Sequence, residues 1–481
     1  MSMEPIQLDH LLRRRDFLAR SAGGVGMAAL AGLLARDGRA AGAELPLVNP
    51  FAPRQPHFAA KAKNVIFLYM EGAPSQIDLF DPKPELVKWH GQPVPPSMTK
   101  DFKFAFIKPN AKVLGCHRPF ARHGQSGAEF SDWLQAWKPI ADDLCIVRSM
   151  RTDAFNHQPA DMILFTGHML PGRPTLGSWV VYGLGSESQD LPGFVVLSTG
   201  KNNMSQAAQW TSGFLPSSYQ GVMFRRKGDP VLYLSNPEGV TQQDQRQDFD
   251  LVAALNRERF AKTGDKEIAS RISSYEMAFR MQMSTPELLD LTKEPAHIRG
   301  SYGLEQETTR AFGTNCLLAR RMVERGVRVV MVTHSSWDQH TDLQKELKKN
   351  CDITAGPVAA LIQDLKQRGL LESTLVVWGG EFGRTPLGDF RNEDEEKAGR
   401  DHHASCFTMW AAGGGIKPGQ TIGRTDDLGM NVVESPVHVN DLQATILHCL
   451  GFDHTRLTYR HMGRDFRLTD VHGEVVTKML A

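Results

Sequence analysis

Thr374–Pro386, TLVVWGGEFGRTP, constrains the fold more than any other stretch of the chain. Thr374 to Trp378 runs without a charged residue, and two glycines stop it just before Glu381. A strand that is apolar on both faces must be covered on both faces, which is the condition of a central strand in a parallel sheet. In such sheets ligands gather outside the strand C-termini, so an acidic residue there is a candidate site residue.

Other runs repeat the pattern. KNVIFLYM, Lys63–Met70, ends at Glu71, and the apolar run Val327–Thr333 opens into HSSWDQHTD, His334 to Asp342. Leu144–Met150, Gly193–Ser198 and Cys406–Ala412 read as further strands. Between them lie helical stretches at 128–142, 304–325 and 355–368, the last with Val358, Leu361, Ile362 and Leu365 on one face, and a closing helix stops before Gly451. Strand, helix, strand order with continuous apolar strands predicts an α/β fold, a three-layer α/β/α domain with a mostly parallel sheet. The stretch 170–300 is rich in Gly, Ser and Pro and then in charge at helical period, so it is expected to form cap and helical insertions.

The N-terminus is of another kind. Arg14-Arg15-Asp16-Phe17-Leu18 fits the twin-arginine pattern, and a weakly apolar Ala/Gly-rich stretch leads to Ala41-Gly42-Ala43. Residues 1–43 are therefore expected to be a signal peptide read by the twin-arginine translocase, with 44–481 the exported domain in the periplasm or outside the cell. That domain keeps 49 basic against 50 acidic side chains, a balance that argues against a nucleic-acid partner. No later stretch has the length of unbroken apolar sequence that a membrane span needs. The six cysteines are widely spaced without a C-x-x-C pair, as expected of buried thiols rather than a disulfide framework.

Strand and loop ends now carry a set of candidate metal ligands: Glu71, Asp338, His340, Glu381, His402 and His403. Carboxylate and imidazole ligands from different strands suit one or two divalent ions, Zn²⁺ or Mn²⁺ before Mg²⁺ or Ca²⁺, which favour all-oxygen shells. His157 opens a short helix that Gly167 stops, and Arg384 follows Glu381 by three residues. Both are candidate catalytic residues, His157 as nucleophile, ligand or helix cap and Arg384 as an anion contact.

LIQDLKQRGLLESTLVVWGGEFG resembles the segment of the alkaline phosphatase and sulfatase superfamily in which a helix and an apolar strand end in a metal-binding Asp-His-Gly. Glu381 takes the Asp position, and Phe382 takes that of the His. GRDHH, 399–403, is similar to the Gly-x-Asp-His-Thr of the superfamily's sugar-phosphate mutases, which favours His402 as the ligand of the pair. Aligning Phe165-Thr166-Gly167 with the sulfatase Leu-Thr-Gly puts His157 on the nucleophilic Cys and Asp161 on an Arg. EGAPSQIDLFDPKP, GFLPSSYQG, SYEMAFRMQ, LLARRMVERGVR, SWDQHTD and GGEFGRTP together resemble an uncharacterised exported bacterial family, "domain of unknown function fifteen-oh-one", a branch of that superfamily.

The resemblance implies an alkaline-phosphatase-like fold and a metal-dependent hydrolase of a phosphate or sulfate ester, an anionic small molecule or polysaccharide, using metal-activated water. Without a Ser, Thr or Cys at the nucleophile position, a second expectation stands beside it: a non-catalytic periplasmic binding or scaffold protein with a structural ion.

Overall fold

The computed structural model describes residues 49–94, 111–199, 206–225, 239–389 and 397–481. The expected signal peptide lies outside these residues. In chain order the principal elements are β1 (Asn64–Met70), β2 (Cys145–Arg151), α1 (His157–Thr166), α2 (Leu176–Leu184), β3 (Phe194–Thr199), β4 (Val222–Phe224), α3 (Gln242–Thr263) and α4 (Lys266–Leu289). There follow α5 (Glu307–Glu324), β5 (Val329–His334), α6 (Leu343–Gln367), β6 (Thr374–Gly379), β7 (Gly383–Asp389), β8 (Gly399–His403), β9 (Phe407–Ala412), β10 (Gln420–Ile422), β11 (Val437–His438) and α7 (Val439–Cys449).

The central sheet runs β10-β2-β9-β6-β1-β5-β3-β4, with β11 beside the end of β2. Its pairings are parallel except those of β9, which is antiparallel to both neighbours. Side chains alternate between the faces of a strand, and here both faces are apolar. Ile66, Leu68 and Met70 pack with Phe312 of α5 and Leu361 of α6, whereas Val65, Phe67 and Tyr69 pack with Phe165 of α1, Trp179 of α2 and Leu447 of α7. The expected three-layer arrangement with a mostly parallel sheet is what forms.

Three differences from the sequence reading matter. The strand expected at Gly193–Ser198 forms as β3, but Val222–Phe224, inside the stretch expected to form a cap, adds β4 beside it as the edge strand of the main sheet, and α3 and α4 pair with each other. Residues 128–143 form a short strand and 3₁₀ turns, with Pro139 inside, instead of an α-helix. Third, the strand pair β7 with β8 is absent from the sequence reading: its sequences GRTPLGD and GRDHH are rich in polar residues, yet every residue is buried. Arg400 explains how, since it bonds the Asp78 carboxylate at 2.7 Å and the Leu114 carbonyl at 2.9 Å, with both charged groups fully buried. Removing one partner of such a pair leaves an uncompensated buried charge, at about 3–5 kcal/mol. All six cysteines are free and buried. Among the described residues no helix is long and apolar enough to cross a membrane.

Candidate metal centre

Register sets the site. Met70 pairs with His334, and Tyr69 pairs with both Thr333 and Gly379, so β1, β5 and β6 end together and the loops after them meet at one sheet edge. The meeting is tight. A Cβ on Gly72, whose φ is +107°, would lie 2.6 Å from the Asp338 nitrogen, so only glycine lets the β1 loop pass the β5 loop there. Ser336, with φ +85°, turns the β5 loop back, and its carbonyl accepts from the Gln339 and Asn350 side chains at 2.9 and 2.7 Å. That turn delivers Asp338 and His340.

Around Asp338 the imidazoles converge. His157, His340 and His402 bring their Nε2 atoms to 3.3, 3.0 and 3.2 Å from Asp338 Oδ1, and the Nε2 atoms of His340 and His402 lie 3.0 Å apart. The opposite nitrogen of each ring is held in turn: His157 Nδ1 by Glu381, His340 Nδ1 by Asp389 at 2.9 Å, and His402 Nδ1 by the Phe155 carbonyl at 2.6 Å. Metal-binding histidines are oriented in this way, with one nitrogen on a carboxylate or carbonyl and the other on the ion. Asp401 lies close enough to His340 and His402 to extend the group. Three imidazoles and a carboxylate are a donor set that fits Zn²⁺ or Mn²⁺. One carboxylate oxygen cannot accept from so many nitrogens at once, which strengthens that fit.

The electrostatics agree. Burial opposes charge on His157, but Asp338 and Glu381 outweigh it and raise the imidazole to about 9. Burial lowers His402 and opposes charge on His340, yet Asp338 and Asp389 raise the latter. Burial would raise Asp338, but the three histidines and Arg384 hold it far below the usual carboxylate range. Asp338 is also the most open of the group, its side chain 29% exposed.

Behind this centre lies a second, fully buried group. Glu381 accepts from the Gly72 N–H at 3.0 Å, from the Tyr69 hydroxyl at 2.9 Å and from His157. Tyr69 also bonds Asp161. Gln209 donates to Glu71 at 3.0 Å and to Asp161 at 3.3 Å. Glu71 and Glu381 therefore sit with internal donors and not among the histidines, while His157 bridges the two groups. Burial, then Asp161, Glu381 and Glu71, push the Tyr69 hydroxyl well above its ordinary range, so it stays a donor.

Two expected site residues are turned to other work. Arg384 is fully buried and gives its donors to the Ala73, Arg400 and Gly72 carbonyls and to the Asp338 carboxylate, so it ties loops together and its anion is internal. His403 points to the opposite side of β8 from His402, with Nε2 at 3.1 Å from the Gly429 carbonyl and 3.0 Å from Cys406 Sγ. Burial lowers it to about 4. Phe382, where the resemblance expects a ligand, packs its ring 4.9 Å from His157 and 4.7 Å from His402. Tyr69, Asp161, Gln209 and Asp389 were missed.

Solved structures with partial similarity include a sulfatase from Pseudoalteromonas sp. (11% identity over 89% of this chain and 71% of that chain, TM-score 0.36). They also include a phosphonate monoester hydrolase from Silicibacter pomeroyi (13%, 81% and 73%, 0.30) and the alkaline phosphatase of the Antarctic bacterium TAB5 (11%, 77% and 96%, 0.28). Superpositions this loose carry no argument about activity. No curated protein matches the chain. The profile of one family, described as "Protein of unknown function (DUF1501)", matches residues 62–480, and the chain belongs to that family.

Proposed function

We propose that the protein is a metal-dependent hydrolase of a phosphate or sulfate ester, and that His157, Asp338, His340 and His402 hold its divalent ion. The observation that carries this reading is the convergence of three anchored imidazoles on one oxygen of Asp338. When bound, a divalent ion supplies Lewis-acid chemistry, lowering the pKa of water and neutralising charge on the ester. The chain's own residues do the rest. Glu381, Asp389 and the Phe155 carbonyl set the ring orientations, Phe382 packs apolar surface against two of the rings, and Arg384 donates to the same Asp338 oxygen that the imidazoles approach.

The Arg14-Arg15 leader supports export by the twin-arginine translocase, with the site working in the periplasm or outside the cell on an anionic small-molecule or polysaccharide ester. Cell fractionation with Arg14 and Arg15 replaced by Lys checks this, because cytoplasmic retention of the variant is expected. For the centre, metal analysis of purified protein is expected to find one equivalent of Zn²⁺ or Mn²⁺, lost in Asp338→Ala. Less than one equivalent after loading would overturn the reading.

A second reading has its own observation. Arg384 is consumed by carbonyls and by Asp338, and His157 stands where the resemblance expects a hydroxyl or thiol nucleophile, which favours a binding protein with a structural ion. Nitrophenyl phosphate, phosphodiester and sulfate esters tested with added metals separate the two. Turnover that disappears in His402→Ala identifies the enzyme.

A further inference from the structure

We propose that Tyr69 is a positioning residue for the metal ligand His157, acting through Glu381. The proposal rests on the reading of His157 as a ligand. A ring nitrogen bound to a carboxylate fixes the rotation and tautomer of the imidazole and leaves the other nitrogen for the ion, so the carboxylate must itself be fixed. Glu381 has the Gly72 N–H at 3.0 Å on one oxygen and the Tyr69 hydroxyl at 2.9 Å on the other. Without the hydroxyl, the second oxygen loses its 2.9 Å donor and keeps a 3.3 Å contact from the same Gly72 nitrogen, so the carboxylate, still held by Gly72, its own backbone N–H and His157, is less firmly fixed in rotation.

Tyr69 is well placed to serve as the fixed point. It is fully buried in β1, its ring edge-on to Phe165 of α1 at 4.9 Å and 86°. Because α1 also begins at His157, the phenol and the imidazole on either side of the Glu381 carboxylate are held by the same strand-helix packing. Asp161, one turn along α1, touches the same hydroxyl. A phenol has one hydrogen to give, so Asp161 and Glu381 share it. This makes the two substitutions differ in sign. Tyr69→Phe removes the hydrogen from Glu381. Asp161→Asn offers an amide N–H to the phenol oxygen and commits the hydrogen to Glu381.

The test is Zn²⁺ affinity of metal-free full-length chain, measured against a chelating competitor. Tyr69→Phe is expected to weaken binding by about tenfold, the lower end of what loss of an outer-shell partner costs. In a His157→Ala background the same change is expected to alter affinity by less than about twofold, because a residue acting through His157 has nothing left to act on. Asp161→Asn is expected to bind at least as tightly as wild type. Equal loss from Tyr69→Phe in both backgrounds would show a purely structural phenol and overturn the proposal, as would an Asp161→Asn protein as weak as Tyr69→Phe. If His157→Ala binds Zn²⁺ like wild type, the ligand reading fails and takes the proposal with it. If His157→Ala weakens binding while the effects add, only the positioning role fails.

Discussion

The histidine centre and the carboxylate group behind it occupy the same sheet edge and differ in where their polar atoms point. At the centre each imidazole has one nitrogen satisfied from behind and the other aimed at one oxygen of the partly exposed Asp338. In the buried group the oxygens of Glu381 are already engaged by Gly72, Tyr69 and His157. An acidic residue at a strand end is thus a ligand or a support according to the donors that reach it first.

Metal affinity is the measurement on which this contrast stands or falls. Asp338→Ala is expected to lower Zn²⁺ affinity by well over about a hundredfold, beyond the range of an outer-shell change. Glu381→Gln and Asp389→Asn are expected to cost about ten- to a hundredfold, as residues that orient a ligand do. If Glu381→Gln proves as severe as Asp338→Ala, Glu381 is itself a ligand and the contrast breaks.

Acidity sharpens it further. A bound ion requires neutral imidazole, and His157 in the metal-free protein is raised to about 9. Affinity is therefore expected to climb by about tenfold per pH unit from neutrality toward pH 9, since one proton must leave His157. The metal-free protein responds in the opposite sense. A raised folded-state pKa contributes stability that is complete below the unfolded value and is lost as pH rises through about 9, worth at most about 3 kcal/mol. Calorimetric melting of both forms across this range checks the crossing of the two trends. The smallest effect on the ion belongs to His403→Gln: affinity within about twofold of wild type, with about 1–3 kcal/mol of folding stability lost from its buried partners.

Much of the fold was legible because its strands are apolar on both faces, and the C-terminal residues of β1, β5 and β6 followed directly. The β7–β8 pair was not, because its residues are buried by partners far away in sequence, such as Asp78 for Arg400, and no periodicity records such a partner. With that strand recognised, alternation would have separated His402 from His403. Asp161 had a readable signal, four residues after His157 on one helix, and Tyr69 shares a strand face with Glu71. Gln209 and Asp389 had none, since each becomes meaningful only when distant loops meet.

His402 is anchored by the main-chain carbonyl of Phe155, a residue that is itself 36% exposed. An acceptor made of backbone survives any change of side chain at 155. What it does not survive is an insertion or deletion between β2 and α1. Position 155 can therefore change its side chain without loss of this anchor, whereas the length of that connection sets where the carbonyl stands.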